Sequence, residues 1–262
     1  MSVDPGDLPT ADFLFRLADA ADGETLPRFR RAGAVDNKDA SAFDPVTEAD
    51  RAAERAIRAL IEAEYPAHAV LGEEHGSTGE GPFRWVIDPI DGTRAFISGI
   101  PVWGTLIGLT VDDRARLGIM SQPFTGERFW ADGNASWRSD RTGSAENRVR
   151  GTTAIAEAVV FTTTPRLFGG DMLRRFEALE AKARLTRFGT DCYAFAMLAA
   201  GQVDLVVEPG LKPYDIAALI PIVEQAGGIV TTFEGARAED GGDVIAAATP
   251  ELHAAALDIL NG

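Results

Sequence analysis

The segment 85–93, with the sequence WVIDPIDGT, constrains the fold of this chain more than any other. Its apolar residues predict a strand that ends at Asp88, and Pro89 and Gly92 then turn the backbone at once. Asp88 and Asp91 can therefore project into the same space at the end of the strand. Two carboxylates in such close proximity repel each other unless one of them is protonated or a cation lies between them. The segment predicts either a divalent-cation site with oxygen ligands or a turn whose acidic side chains are solvated.

Other kinds of site are disfavoured by motif and residue type. An EF-hand loop needs acidic residues at alternate positions before its glycine, and segment 85–93 lacks that spacing. With three histidines and one cysteine in the chain, a zinc site rich in nitrogen or sulfur is improbable. We interpret His68, His75, His253 and Cys192 as surface or packing residues. No serine-hydrolase elbow, P-loop or dinucleotide-binding glycine motif occurs.

The charge balance limits the partners. The 262 residues include 25 basic and 40 acidic ones, for a net charge of −15, without a run of lysines or arginines. Nucleic acids and anionic membranes bind clustered positive charge, so neither is expected as a partner. The longest uncharged stretch, 95–111, contains glycine and proline and is shorter than the roughly 20 apolar residues of a membrane span. A single cysteine and no recognisable signal peptide lead us to expect a cytoplasmic protein.

The first part of the chain predicts an α+β lobe. A helix follows Pro45, where Thr47 can cap it and Asp50 can complete a capping box, and this helix should end before Pro66. Short apolar runs between turn residues then predict strands, several of them antiparallel in succession, at 69–71, 83–87, 104–111, 115–120 and 128–131.

From residue 159 onward, strands and helices alternate, which predicts a second lobe of α/β type. The predicted strands are 159–163, 184–188, 203–207, 229–232 and 244–247, and the predicted helices are 165–179, 191–200, 213–225 and 250–260. Residues 132–150 are polar and rich in turn residues. We therefore divide the chain into an N-terminal lobe, residues 1–140, and a C-terminal lobe, residues 141–262, with the boundary between 135 and 150.

Further acidic residues stand where a strand or a helix should begin or end. Glu73 follows the strand 69–71, Asp50 lies in the first turn of its helix, and Asp215 opens the helix 213–225. Each alone is compatible with a structural role, because acidic residues at helix N-termini complement the helix dipole.

Four motifs, taken in order, resemble one known family. They are DPVTEAD at 44–50, GEE at 72–74, DPIDGT at 88–93 and YDIAA at 214–218, with EQAGG downstream at 224–228. This arrangement is similar to the inositol monophosphatase superfamily of magnesium-dependent phosphatases over about residues 38–230. The resemblance implies a layered αβαβα sandwich of mixed α+β and α/β type, with two lobes, a metal site between them and a homodimer.

The resemblance also implies roles for single residues. Two or three Mg²⁺ ions would be held by Glu73, Asp88, Asp91, Asp215 and the main-chain carbonyl of Ile90. Asp50 and Thr93 would orient the attacking water, with the Thr93 hydroxyl donating a hydrogen bond to Asp50. The backbone amides of Gly92 and Thr93 would bind phosphate oxygens at a helix N-terminus. Lys38 resembles a mobile-loop lysine of the family.

The substrate is suggested by the residues around this implied site. Segments 92–103, 187–195 and 203–215 look most like the histidinol-phosphate phosphatase branch, whereas typical inositol-hydrolysing members carry Asn where Ala95 stands and Trp where Tyr214 stands. Asp191 and Glu208 are expected beside the metal ligands, where the alcohol part of the substrate would rest. Two acids suit a cationic alcohol such as histidinol, although a helix N-cap and a strand-end acid would also explain them.

Three hypotheses follow. The first is a Mg²⁺-dependent phosphatase that hydrolyses the small molecule histidinol phosphate in histidine biosynthesis. The second keeps the chemistry and changes the substrate to inositol monophosphate or a related sugar phosphate. The third is a non-catalytic, metal-binding regulator, against which the pair of Asp50 and Thr93 argues, because a binding module needs no residues that orient water.

Overall fold

The computed structural model describes residues 8–31, 35–37 and 45–262. Within these residues, eight α-helices flank two large β-sheets and one short β-ribbon. The helices are α1 (Ala11–Thr25), α2 (Glu48–Glu64), α3 (Thr93–Ile97), α4 (Gly170–Glu180), α5 (Tyr193–Ala199), α6 (Pro213–Ile216), α7 (Leu219–Glu224) and α8 (Pro250–Asn261). No helix in this part of the chain is both long and apolar enough to cross a bilayer.

The first large sheet has eight strands in the order β10-β9-β8-β7-β6-β5-β3-β4, and strands β5 to β10 form an antiparallel meander. Its strands are β3 (Ala69–Gly72), β4 (Gly76–Thr78), β5 (Phe83–Asp91), β6 (Gly104–Val111), β7 (Arg114–Gln122), β8 (Glu127–Ala131), β9 (Ser136–Asp140) and β10 (Gly143–Glu146). The ribbon pairs β1 (Val35–Asn37) with β2 (Pro45–Thr47). The antiparallel succession predicted from the sequence is confirmed.

The second large sheet has five strands in the order β12-β11-β13-β15-β14. Its strands are β11 (Val159–Thr162), β12 (Leu185–Phe188), β13 (Leu205–Leu211), β14 (Ile229–Thr232) and β15 (Gly242–Ala247). The first three in chain order are mutually parallel, and the last two pair antiparallel. The division into lobes at residues 140 and 141 stays a prediction.

The strands in the centre of each large sheet bury side chains on both faces, and this determines how helices and sheets are layered. In β13, Val206 packs with α5 and α7 between the two large sheets, whereas its neighbours Leu205 and Val207 pack with α4 and α8 on the outside. In the first sheet, Leu106 faces the middle helices and Ile107 faces α1 and α2. Because successive side chains of a strand point to opposite faces, each sheet lies between two helical layers. The result is the predicted αβαβα sandwich.

Some elements differ from those predicted. The predicted helix 213–225 is divided into α6 and α7, since Pro221 has no amide hydrogen to donate to the carbonyl of Ala217. The predicted helix 165–179 begins with a separate 3₁₀ turn, Pro165–Leu167, and α4 starts only at Gly170. Helix α1 and strands β9 and β10 were not predicted. Strand β10 is exposed along its length, so it lacks the alternation of apolar and polar residues that identifies a strand.

A pair of glycines lets the middle helices approach the first sheet. Gly108 and Gly118 face each other across β6 and β7. A Cβ atom at Gly108 would lie 2.8 Å from the backbone nitrogen of Ala218, and one at Gly118 would lie 2.0 Å from its carbonyl oxygen. The junction of α6 and α7 therefore rests directly on the sheet backbone. This contact fixes α6, which carries Asp215, against the strands that lead to Asp88.

We expect Gly118→Ala to lower the free energy of unfolding by about 1 to 3 kcal/mol, because the added methyl group forces the α6–α7 junction off the sheet. Urea denaturation gives the measurement. Gly151→Ala is the matched control, since this exposed glycine lies outside the helices and strands, a Cβ there has no neighbour within 4 Å, and its φ is not in the left-handed range. The control should be as stable as the wild type or slightly more stable. Equal stability of the two variants would contradict the close contact.

Candidate active site

A β-bulge at the end of β5 brings two aspartates to the same side of the strand. Residues three apart normally point to opposite faces. Here the register with β6 shifts between Asp88 and Asp91, so that the strand contains one extra residue. Pro89, which cannot donate to the ladder, lies in the bulge, and its carbonyl oxygen accepts a hydrogen bond of 2.8 Å from the Thr105 hydroxyl. The sequence prediction that both carboxylates share one space is explained by this bulge.

Helix α6 adds a third carboxylate. One oxygen each from Asp88, Asp91 and Asp215 lie within 4.8 Å of one another. Asp88 is 2% exposed, and the other two are partly buried. All three donors are hard oxygen atoms, which Mg²⁺ and Ca²⁺ prefer over nitrogen or sulfur. The residues of this cluster therefore fit a divalent cation.

Electrostatics supports the same interpretation. Burial raises the pKa of Asp88 well above its usual range, and the neighbouring carboxylates of Glu73, Asp91 and Asp215 raise it further. The pKa of Asp91 is raised in the same way, first by burial and then by Asp191 and Asp215. Burial raises the pKa of Asp215 to about 7. The cluster therefore retains protons unless a cation replaces them.

Backbone amides hold the three carboxylates in place. The amide of Ile90 donates to Asp88 Oδ1 at 3.0 Å, and the amide of Lys212 donates to Asp215 Oδ2 at 2.7 Å. The third bond, of 2.7 Å from the Cys192 amide to Asp91 Oδ2, joins α5 to the end of β5. Sequence reasoning did not identify these donors, because each is a backbone group whose position depends on the tertiary fold.

Asp50 and Thr93, the two residues predicted to orient water, form other hydrogen bonds than the one predicted between them. Asp50 is 1% exposed, and its Oδ2 accepts hydrogen bonds from the amide and the hydroxyl of Thr47, at 2.8 and 2.5 Å. Its Oδ1 is buried without a partner in the part of the chain that is described. The Thr93 hydroxyl donates to the carbonyl oxygen of Ile90 at 3.1 Å. The predicted bond from Thr93 to Asp50 is therefore wrong, since a hydroxyl has one hydrogen to donate and that of Thr93 goes to Ile90.

The remaining predicted ligands surround the cluster. Glu73 follows β3 directly, its amide donates to the carbonyl oxygen of Ile87 at 3.1 Å, and its carboxylate raises the pKa of Asp88. Gly92 adopts the left-handed conformation, with a φ of 81°, and precedes α3. The first amides of a helix have no partner within it, so those of Gly92 and Thr93 are suited to an anion. Lys38 lies outside the described residues.

The two predicted substrate residues come together through Thr163, which sequence reasoning missed. Glu208 is 2% exposed, and its Oε1 accepts from the amide of Thr163 at 2.5 Å and from its hydroxyl at 3.0 Å. Asp191 Oδ1 is 3.5 Å from the same hydroxyl. A Cβ atom at Gly92 would lie 3.2 Å from Asp191 Oδ2, so this carboxylate lies against the turn that follows Asp91.

Among the described residues, no histidine or cysteine side chain joins the three aspartates as a possible metal ligand, and Cys192 contributes its backbone amide to Asp91. His68 stacks on Phe83 at a centroid distance of 4.6 Å, His253 is buried, and His75 is exposed. Cys192 is 3% exposed, and burial raises the pKa of its thiol well above the usual value, which disfavours the nucleophilic thiolate. Their interpretation as surface or packing residues is confirmed.

Comparisons with known proteins agree with this geometry. A family model described as the inositol monophosphatase family matches residues 8–261. The chain is 38% identical over 258 residues to the chloroplastic bifunctional phosphatase IMPL2 of Arabidopsis thaliana, covering 93% of this chain and 72% of that protein. It is 37% identical over 254 residues to a histidinol-phosphatase of Streptomyces coelicolor, covering 94% of each chain. A solved inositol monophosphatase from Zymomonas mobilis superposes with a TM-score of 0.85 and 39% identity, covering 96% of this chain and 97% of that one.

We expect the metal-free protein to lose stability as the pH rises from about 5 to about 8. Burial raises the pKa of Asp215 to about 7 and that of Glu208 to about 8. Both values lie above those of the unfolded chain, so the folded state binds more protons, and the free energy of unfolding falls as the pH rises through them. Urea denaturation in a chelator measures this dependence.

Asp215→Asn and Glu208→Gln should each flatten this pH dependence by removing one titrating group. Asp258→Asn, which changes an exposed aspartate on α8, serves as the control and should keep the wild-type slope. Identical slopes in all four proteins would show that these carboxyl groups titrate normally in the folded state.

Proposed function

The chain belongs to the inositol monophosphatase family and is a phosphoric monoester hydrolase, and we propose that it hydrolyses L-histidinol phosphate to L-histidinol and phosphate with Mg²⁺. The observation that carries this proposal is the pair of acidic side chains, Asp191 and Glu208, beside the carboxylate cluster. The reaction would serve histidine biosynthesis in the cytoplasm, in a homodimeric enzyme.

Asp191 has a backbone conformation that is uncommon for non-glycine residues and is found more often at ligand-binding sites. Its φ of 43° lies in the left-handed region, which non-glycine residues adopt at a cost in free energy. It is not the N-cap of α5, since that helix begins at Tyr193 and is preceded by Cys192. Burial raises the pKa of Asp191, and an approaching cation would favour its charged form. An interpretation of Asp191 as a helix cap therefore loses support.

Glu208 adds a second acidic group that lacks a full set of partners. Its Oε1 binds Thr163, whereas its Oε2 is buried and without a hydrogen-bond partner in the described part of the chain. Buried polar atoms are almost always hydrogen-bonded; the nearby Thr162 hydroxyl, itself buried and without a partner among the described residues, can supply one donor, and Oε2 can accept a second hydrogen bond from a ligand. Burial raises the pKa of Glu208 to about 8, and a cationic group of the substrate would convert it to the carboxylate. The amine or imidazolium of histidinol supplies such a cation.

The family is metal-dependent, and the oxygen atoms of this site fit Mg²⁺. Two or three ions would be held by the carboxylates of Glu73, Asp88, Asp91 and Asp215 and the carbonyl of Ile90. Bound Mg²⁺ supplies charge neutralisation at the phosphate and a lowered pKa of water.

The protein's own groups position the remaining reactants. Asp50 Oδ1, which accepts no hydrogen bond from the described residues, can accept one from the attacking water. The Thr93 hydroxyl, which donates to Ile90, can accept another through its oxygen lone pairs. The amides of Gly92 and Thr93 would bind the phosphate oxygens. Water would then attack phosphorus in line with the leaving alcohol, the phosphorus–oxygen bond of the ester would break, and one hydrogen of the water would end on the leaving oxygen, so no covalent phospho-enzyme is needed.

The alternative substrate is inositol monophosphate or a related sugar phosphate. It is favoured by the similarity to the Zymomonas mobilis inositol monophosphatase. Inositol carries only hydroxyl groups, which require no net charge opposite them. Asp191 already has the Arg94 guanidinium nearby, which favours its charged form, whereas Glu208 would be buried with no cation of the substrate opposite it, which is unfavourable. The acidic pair therefore favours histidinol phosphate.

We expect the wild type to hydrolyse histidinol phosphate with a kcat/KM at least about tenfold above those for inositol monophosphate and glycerol phosphate. Asp191→Asn should remove about 1.5 to 3 kcal/mol of this preference, or roughly 10- to 100-fold in kcat/KM on histidinol phosphate. Asparagine also tolerates the left-handed conformation, so the loop should be retained. Phosphate release at saturating Mg²⁺ is the measurement.

Glycerol phosphate, whose alcohol is uncharged, is the matched substrate and should be hydrolysed by Asp191→Asn at nearly the wild-type rate. Asp140→Asn, at an exposed position of β9, controls for the loss of one negative charge. Equal losses on both substrates would contradict cation recognition and favour the inositol-type activity.

We expect Thr93→Ala to lower kcat by roughly 10²-fold with little change in Mg²⁺ affinity, because it removes a hydroxyl that positions the water. Thr93→Ser restores the hydroxyl and should recover most of the activity. Steady-state kinetics over a range of Mg²⁺ concentrations separates the two effects. If excess Mg²⁺ restored the turnover of Thr93→Ala, Thr93 would act on the metal and not on the water.

A further inference from the structure

Glu54 is a buried carboxylate that the proposed chemistry does not use. It lies on α2, one helical turn after Asp50, and is 0% exposed. Its Oε2 accepts a hydrogen bond of 2.7 Å from the amide of Glu74, and its Oε1 accepts one of 3.2 Å from the amide of His75. Glu54 therefore holds two consecutive backbone amides of the turn that connects β3 to β4.

Arg58 completes this arrangement on the next turn of α2. Its Nε donates to Glu54 Oε1 at 2.7 Å, and Nη1 donates to the Thr78 hydroxyl at 3.0 Å. Its Nη2 donates to the carbonyl oxygen of Gly76. We call Glu54 and Arg58 the α2 clamp. The clamp therefore bonds to the β3–β4 connection and to the first and last residues of β4.

The end of β3 lies directly against the same carboxylate. A Cβ atom at Gly72 would lie 2.0 Å from Glu54 Oε1, so no larger residue fits there without movement. Gly72, the residue before Glu73, therefore lies against Glu54, and Glu74, the residue after it, donates its amide to Glu54. The amide of Glu73 also continues the pairing of β3 with β5, the strand that carries Asp88. The backbone at Glu73 is therefore fixed by its own hydrogen bond to β5 and by the contacts of both neighbouring residues with Glu54.

A buried charge is unfavourable unless it is paired and fully hydrogen-bonded, and an apolar side chain at this position of α2 would avoid that cost. The carboxylate is instead paired with Arg58 and accepts two backbone amides from the turn that carries Glu73. We propose that Glu54, together with Arg58, is a positioning residue that fixes Glu73 for metal binding. This inference rests on the proposed function, in which Glu73 is a metal ligand.

Glu54→Gln tests the clamp with little change of shape. A carboxamide has one acceptor and one donor, so in either orientation its NH₂ group faces an amide of the turn or the guanidinium of Arg58. We expect the dissociation constant for Mg²⁺, measured by titration calorimetry, to rise roughly 10- to 100-fold. In the metal-free protein, the amides of residues 74 and 75 should exchange their hydrogens faster than in the wild type. Saturating Mg²⁺ should restore kcat to within a few-fold of the wild-type value.

Three further variants separate positioning from stability. Ile61→Val trims a buried side chain on the same helix, which packs with α1, and should lower thermal stability without changing Mg²⁺ affinity. Glu62→Gln makes the same chemical change at an exposed position of α2 and should behave as the wild type. Arg58→Lys keeps the charge but loses the fork to Thr78 and Gly76, so its loss of Mg²⁺ affinity should be intermediate. If Glu54→Gln fails to fold, Arg58→Lys provides the test.

The proposal is overturned if Glu54→Gln binds Mg²⁺ as the wild type does and loses only thermal stability, as Ile61→Val does. Unchanged exchange at residues 74 and 75 would also overturn it. A wild-type protein that binds no Mg²⁺ contradicts the proposed function and the metal role together, whereas the exchange rates still decide whether Glu54 holds the turn.

Discussion

The mutual repulsion of three carboxylates is the constraint on which this structure depends. Asp88, Asp91 and Asp215 bring oxygen atoms within 4.8 Å of one another, in surroundings that disfavour charge. Such a cluster is stable only with bound protons or a cation, so the fold must hold it against its own tendency to separate. The bulge in β5 and the glycine contact beneath α6 are the backbone features that do so. Neither the backbone bulge nor the close glycine contact depends on charge, so neither weakens when the carboxylates ionise.

Five acidic side chains of the site are held in the same way. In Asp50, Asp88, Asp91, Glu208 and Asp215, one carboxylate oxygen accepts a hydrogen bond from a backbone amide, as Asp91 does from Cys192 and Asp50 does from Thr47. Backbone donors belong to secondary structure and cannot change rotamer, so they restrict a carboxylate more firmly than another side chain would. The bond to Cys192 spans 101 residues of sequence and ties the middle helical layer to the first sheet. The site is therefore also one of the contacts that hold the layers together.

Local features of the site could be predicted from the sequence, and contacts between distant elements could not. The capping box of Thr47 and Asp50 and the turn after Asp88 depend on residues a few positions apart, and both are confirmed. Burial depends on distant neighbours. Glu54 and Arg58 have the spacing of an ordinary exposed helix pair, and only the packing of the β3–β4 turn buries the carboxylate. No sequence pattern identified Thr163 as a partner of Glu208, because that contact depends on β13 lying beside β11.

The negative charge of this site affects how the phosphate group and the alcohol group of a substrate can bind. The cluster would repel a phosphate monoester unless cations neutralise it, which accounts for the metal dependence of the family. Asp191 and Glu208 lie outside the set of oxygens suited to a metal, and within the protein Arg94 is a positive charge that favours the ionised form of Asp191. If these two side chains face the alcohol part of the substrate, as we propose, they would weaken the binding of an ester whose alcohol is uncharged. With a cationic alcohol, the same two groups would attract the substrate at one end while bound cations would hold its phosphate at the other, so that both ends of the molecule would meet opposite charge.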